Sequence, residues 1–148
     1  MDSYNVIYIV GKDKMVDAAR REISKVASRV SDNNGVLMYD LVKVYNSDRF
    51  IVDGFIGDTV RQVIARFPDV CRLQDEEERY IVSFRLPDID ESMALAGKEE
   101  LNRLISQQVT AMWLATRYEA FAKFYMEQAS ASMERLVMFL RTRKTPER

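Results

Sequence analysis

Apolar residues recur at helical spacing from Lys98 to Lys144, a stretch that contains neither proline nor glycine. Leu101, Leu104, Ile105, Val109, Met112 and Trp113 form one broad stripe. Phe121, Phe124, Tyr125, Ala129, Met133, Leu136, Val137 and Leu140 form a second. Steps of three and four residues place side chains on one face of an α-helix. As one straight helix the stretch would run roughly 70 Å; the pattern fits equally two helices folded back through a turn near Thr116 to Glu119. The stripes are wide and aromatic, which suits a globular bundle better than a two-stranded coiled coil. Trp113, Phe121, Tyr125 and Leu136 are the expected core anchors.

The upstream pattern is more mixed. Tyr4 to Val10 is β-branched and aromatic and ends at Gly11, which predicts a short strand. Asp13 is placed to cap the helix that follows. Val16, Ala19, Ile23, Val26 and Val30 give that helix a narrow apolar stripe, with Arg20, Arg21, Lys25 and Arg29 mostly off it as a solvated basic face. Asp32-Asn33-Asn34-Gly35 turns the chain. Val36 to Val44 fits either a strand or a short helix. Ser47-Asp48 is an N-cap pair for a helix running to Phe67 and burying Val52, Ile56, Val60, Val63 and Phe67. Gly54 and Gly57 oppose that helix by about 1 kcal/mol each. Pro68 closes it, Arg72 to Glu78 reads as an acidic loop, and Tyr80 to Leu86 reads as a strand stopped by Pro87. That strand can pair with Tyr4 to Val10 or with the Val36 segment. The fold class is α+β, mainly α: a helical bundle of about four helices with two or three short strands. One domain is expected over residues 1–148, with a basic tail that frays from about 142.

Composition narrows the chemistry. The chain has 148 residues, 22 Lys and Arg against 23 Asp and Glu, and a net charge of −1. That is long enough for a hydrophobic core, and it gives no global attraction to nucleic acid or anionic lipid. No apolar run approaches the roughly 20 residues that span a bilayer. The N-terminus, Met1-Asp2-Ser3-Tyr4-Asn5, lacks the basic region of a signal peptide. A lone cysteine, Cys71, allows no internal disulfide and suits a reducing cytoplasm.

Histidine is absent from the sequence, so no Ser-His-Asp or Cys-His unit can form within the chain. No phosphate-cradling glycine loop is present, and no cofactor or metal is expected. Asp75-Glu76-Glu77-Glu78 reads as a solvated charge run. Asp88, Asp90 and Glu91 lack the spacing of a calcium loop and are explained by the N-terminal dipole of the following helix. Gly54-Phe55-Ile56-Gly57 matches a GXXG loop in outline, but Asp53 and Asp58 beside it would repel a phosphate backbone.

The spaced residues Trp113, Arg117, Glu119, Tyr125, Ala129, Leu136, Leu140, Arg143 and Pro146 resemble the C-terminal half of small head–tail connector or neck proteins of Bacteroidetes-type tailed phages and prophages. Tyr39-Asp40, Ser47-Asp48-Arg49 and the Tyr80 to Leu86 strand are similar to the middle of such proteins. The resemblance covers about residues 15 to 146; the N-terminal strand and Gly54 and Gly57 lie outside it. It implies a non-enzymatic structural virion component, assembled in the host cytoplasm, that forms a homo-oligomeric ring and joins portal to tail proteins. Exposed apolar and basic residues would then be contacts: Met126, Met138, Phe139, Arg141, Arg143 and Lys144, with the N-terminal strand available to a neighbour's sheet. The alternative reading is a small cytoplasmic adaptor or regulatory module that binds a protein or nucleic acid through the cations of the first helix and the tail. Neither reading involves a membrane.

Overall fold

The computed structural model describes residues 3–29 and 39–145. In chain order the elements are β1 (Val6–Gly11), α1 (Lys12–Ala27), the single turn α2 (Tyr39–Val42), a 3-10 turn (Asn46–Asp48), α3 (Arg49–Ala65), β2 (Cys71–Asp75), β3 (Arg79–Phe84), α4 (Glu91–Leu114) and α5 (Glu119–Arg141). Four long helices thus accompany a three-stranded antiparallel sheet of order β1-β3-β2. This is an α+β fold, mainly α.

The sheet forms because β1 and β3 carry the right alternation. Val6, Tyr8 and Val10 point inward and oppose Phe84, Val82 and Tyr80. The aromatic centre of that inner face is edge-to-face: Phe84 lies 5.6 Å from Tyr8 and 5.3 Å from Phe67. Such pairs add about 0.5–1.5 kcal/mol beyond area burial. Pairing of β3 with the N-terminal strand is one of the two options the sequence left open. The other, the Val36 segment, lies in part outside the described residues, as do Val30, the Asp32–Gly35 turn and Pro146; the described part of that segment, from Tyr39, begins with a helical turn.

Three local expectations are corrected. Asp13 does not cap α1: Gly11 holds the N-cap position with no side-chain bond, and the Lys12 N–H donates to the Glu78 carbonyl at 2.9 Å. The strand ladder thus satisfies a donor that a cap would otherwise serve, and Asp13 pairs with Arg49 instead. Asp48 does not bond the first turn of α3; its carboxylate accepts the Tyr45 N–H at 2.8 Å and closes the 3-10 turn. The acidic loop from Arg72 contains a strand, β2, because Cys71 and Leu73 face inward beneath a polar outer edge.

α3 tolerates its glycines because Val52, Ile56, Val60 and Val63 bury one face. The GXXG outline therefore lies on a helix and not in a loop. At Gly57 a Cβ would meet Tyr80 Oη at 2.8 Å, so the strand can approach α3 only where a side chain is missing.

The Lys98–Lys144 stretch is a hairpin, α4 followed by α5, with its turn at 115–118. Asp90 caps α4 by accepting from the N–H groups of Ser92 (2.9 Å) and Met93 (3.2 Å). A further bond from the Ser92 hydroxyl, the largest cause, and these backbone bonds hold its pKa below the ordinary carboxylate value. The sign follows from linkage. The contribution is complete above the unfolded pKa, about 4, and is lost as pH falls through the lower folded value. Asp90→Ala is therefore expected to lower the urea midpoint at pH 7 and to lower it by progressively less as the pH falls below the ordinary carboxylate value. A loss that does not change with pH would refute an ionised cap.

α4 is central: it packs against α1, α3, α5 and β1. Its contact with β1 is close. Tyr8 Oη donates to the Ala94 carbonyl at 2.5 Å, and a Cβ at Gly97 would lie 2.5 Å from that same hydroxyl. Gly97→Ala should destabilise by about 1–3 kcal/mol through overpacking. In a Tyr8→Phe background, with the hydroxyl gone, the same change should be neutral or should gain up to about 1 kcal/mol of helix propensity. Equal effects of Gly97→Ala in both backgrounds, measured by urea unfolding, would show that the hydroxyl is not the obstacle.

The basic tail does not fray at Thr142. The Asp90 N–H donates to the Thr142 carbonyl at 3.0 Å, the Lys144 N–H donates to the Asp88 carbonyl at 2.8 Å, and Ile89 bridges Arg143. Backbone bonds to the α4 entry segment hold the chain through Lys144.

Candidate functional site

Several of the ionisable side chains have structural partners. Among the described residues no group of three or more His, Cys, Asp or Glu is placed to hold a metal. Cys71 is half-buried on β2, and burial pushes its thiol up to about 12, so it is protonated at neutral pH. The acidic run braces the β2–β3 hairpin: Asp75 takes Lys12 at 2.6 Å and Arg61 at 3.5 Å, and Glu76 takes Arg79 at 2.7 Å. On α1, Arg20 bonds Asn46 at 2.9 Å and Lys25 lies 3.6 Å from Glu22.

One carboxylate is deeply buried. Glu100 on α4 is 1% exposed and is held by Arg103 and by Arg135 of α5. Arg135 also donates to Ser132 Oγ at 3.1 Å, and Ser132 donates to Gln107 Oε1 at 2.7 Å. The chain of bonds crosses from one helix of the hairpin to the other. A buried, fully bonded charge fixes the register between two apolar faces that could otherwise slide. Its arginines lie over the carboxylate, so it fits a structural lock better than an acid awaiting substrate.

The expected core anchors occupy different depths. Trp113 and Leu136 are fully buried, Tyr125 lies at the edge of the core, and Phe121 is half-buried. Trp113 Nε1 donates to the Val42 carbonyl at 2.7 Å, and the Arg117 guanidinium sits 3.5 Å from its ring centroid. Tyr125 Oη donates to Glu22 Oε1 at 2.7 Å, and burial raises the pKa of that phenol. Phe121 and Tyr125 line a cleft of about 420 Å³ between α1 and α5, opposite Glu22 and Arg29. Phe124, expected in the core stripe, is exposed there because the stripe of α5 is broader than the surface α1 and α4 offer it.

The expected contact residues do not form one patch. Met126 and Met138 are both exposed. A separation of twelve residues on α5 puts them about 120° apart around the helix. Met126 lines a groove of about 380 Å³ against α3. Phe139 is half-buried, Arg141 lies 6.0 Å from the Phe67 ring, and Arg143 and Lys144 are exposed beside the α4 entry.

An exposed apolar surface lies along β1. Its outward side chains Ile7 and Ile9 are 57% and 51% exposed, and Leu95 of α4 is 72% exposed. A groove of about 560 Å³ runs beside this strand, lined by Asn5, Ile7, Tyr8, Leu95, Lys98 and Lys144 among others. β1 is an edge strand that pairs only with β3 among the described residues. From Val6 to Val10 it carries no charge and no proline; at its start the Asn5 N–H donates to the Phe84 carbonyl at 3.0 Å, one residue out of the β1–β3 register. The other edge, β2, carries Arg72 and the paired Asp75. The outward pair on β1 was visible in the sequence as alternation. Leu95 was not, because it stands alone between Glu91 and Lys98 on an otherwise polar face.

Comparison with family models, with curated proteins and with solved structures gives no match. No helix among the described residues is long and apolar enough to cross a membrane.

Proposed function

We propose that this chain is a non-enzymatic assembly subunit, of the head–tail connector or neck kind in tailed phages, that oligomerises and joins portal to tail proteins in the virion. The observation that carries the reading is the β1 edge, which pairs with β3 alone among the described residues, with Ile7, Ile9 and Leu95 beside it. An exposed apolar edge strand is an aggregation hazard in a solitary protein and an asset in one built to be paired. Two further features support the reading. The helical hairpin is locked internally by Glu100, which gives a rigid body to assemble. Asp75, Glu76 and Glu100 are held in ion pairs, Asp90 serves as a cap, and Cys71 is a protonated thiol.

Electron microscopy of the purified full chain, alone and mixed with candidate portal and tail-completion proteins, tests the proposal. The expected result is annular particles, or added density on portal rings. Featureless monomers with no portal association would reject it.

A further inference from the structure

We infer that β1 pairs antiparallel with β1 of a second copy about a two-fold axis through Tyr8, joining two three-stranded sheets into one six-stranded sheet. The inference rests on the assembly reading for the identity of this edge as a contact, and adds the partner and the register.

The backbone phase fixes which groups of β1 do not bond β3. The Lys12 N–H bonds the Glu78 carbonyl, and bonded pairs alternate along an antiparallel ladder. In the observed register the bonded pairs are therefore Val10 with Tyr80, Tyr8 with Val82 and Val6 with Phe84. The N–H and C=O groups of Ile7 and Ile9 point away from β3. A second β1 satisfies them when Ile7 meets the copy's Ile9, and Ile9 the copy's Ile7, with Tyr8 on the axis. In that arrangement both pairs of isoleucine side chains fall on the same outer face, beside the half-buried Ile81 of each copy. The helices of both copies fall on the opposite face.

The helix below gives the charge pattern. Glu91, Leu95 and Lys98 stand at i, i+4 and i+7, so they share one stripe of α4, and all three line the groove beside β1. Tyr8 bonds Ala94 and touches the Gly97 position, which puts the centre of that stripe under the centre of β1. A two-fold axis at Tyr8 then brings Leu95 toward its own copy and sets Glu91 against the copy's Lys98, twice. Self-complementarity of this kind is what an isologous interface requires. The β2 edge offers no such match, because Asp75 is already engaged by Lys12 and Arg61. A two-fold pair closes on itself, so a ring built from it needs a further head-to-tail contact elsewhere.

Sedimentation equilibrium of the full chain tests the pairing. The wild type should show a dimer at micromolar to hundred-micromolar concentration. Ile9→Pro removes an N–H that faces away from β3, and should give a monomer with an unchanged far-UV spectrum. If that variant misfolds, the Ile7→Lys/Ile9→Lys variant at two exposed positions serves instead, with the same expectation. Glu91→Lys and Lys98→Glu should each weaken the dimer about tenfold, as two exposed ion pairs are lost. An equimolar mixture of those two single variants should recover wild-type affinity, because each then meets its opposite. A monomeric wild type, an oligomer that survives the edge variants, or a mixture that stays weak overturns the pairing; the assembly reading falls with it only when the monomer also fails to associate with portal protein.

Discussion

Replacing Arg103 and Arg135 together by methionine is expected to destabilise the protein by about 3–5 kcal/mol, the usual loss when a buried charge is left unpaired. The two guanidiniums are half-exposed, so their own hydration changes little; Glu100, 1% exposed, is the group stranded. Adding Glu100→Leu to the double variant should return most of the loss, because an apolar replacement of a buried ionic cluster is often neutral or better. Urea denaturation at pH 7 measures all three variants. A double variant within about 1 kcal/mol of wild type, the scale of a surface pair, would mean that water reaches the carboxylate. The stability of the lock matters to the proposed function: a subunit that transmits force or register between neighbours needs its hairpin fixed, and this cluster is the specific polar tie within it.

Trp113→Ala is expected to cost about 4–5 kcal/mol, at the upper end for large-to-small core changes. The ring is 1% exposed, and its Nε1 is the donor to Val42, so truncation opens a cavity and orphans a carbonyl at once. Trp113→Phe separates the two effects. It keeps most of the volume and should cost about 1–3 kcal/mol, chiefly for the unsatisfied acceptor. Since domains of this size are stable by about 5–15 kcal/mol, the alanine variant should be partly unfolded at physiological temperature. Far-UV circular dichroism is the suitable probe, because Trp113 is the chain's single tryptophan. Identical losses for alanine and phenylalanine would show that the hydrogen bond, not the packed ring, dominates.

What could be read from the sequence depended on whether a segment's neighbours are written in its own side chains. The stripes of α1, α3, α4 and α5 are periodic because each helix buries one continuous face, and the alternation of β1 shows both of its faces. β2 could not be read. It is an edge strand of five residues whose outward positions, Arg72 and Gln74, look like loop. The tail could not be read either, since it is held by backbone bonds to Asp88 and Asp90, and side-chain patterns do not report those. Glu100 sits in Lys98-Glu99-Glu100, which reads as solvated charge; its partner Arg135 lies in another helix, and nothing in the sequence joins them. At the candidate surface, Ile7 and Ile9 were legible and Leu95 was hidden. The methionines of α5 were legible as exposed positions, but only the helix geometry showed that they face different directions.

Amide hydrogen exchange resolved to single residues, at low and at high protein concentration, tests the central claim most directly. If this chain is an assembly subunit that uses its β1 edge, the amides of Ile7 and Ile9 should exchange quickly when dilute and become strongly protected when concentrated. The amides of Tyr8 and Val10, already bonded to β3, should be protected in both. Fast exchange at Ile7 and Ile9 at every concentration, with and without portal protein, would contradict the account.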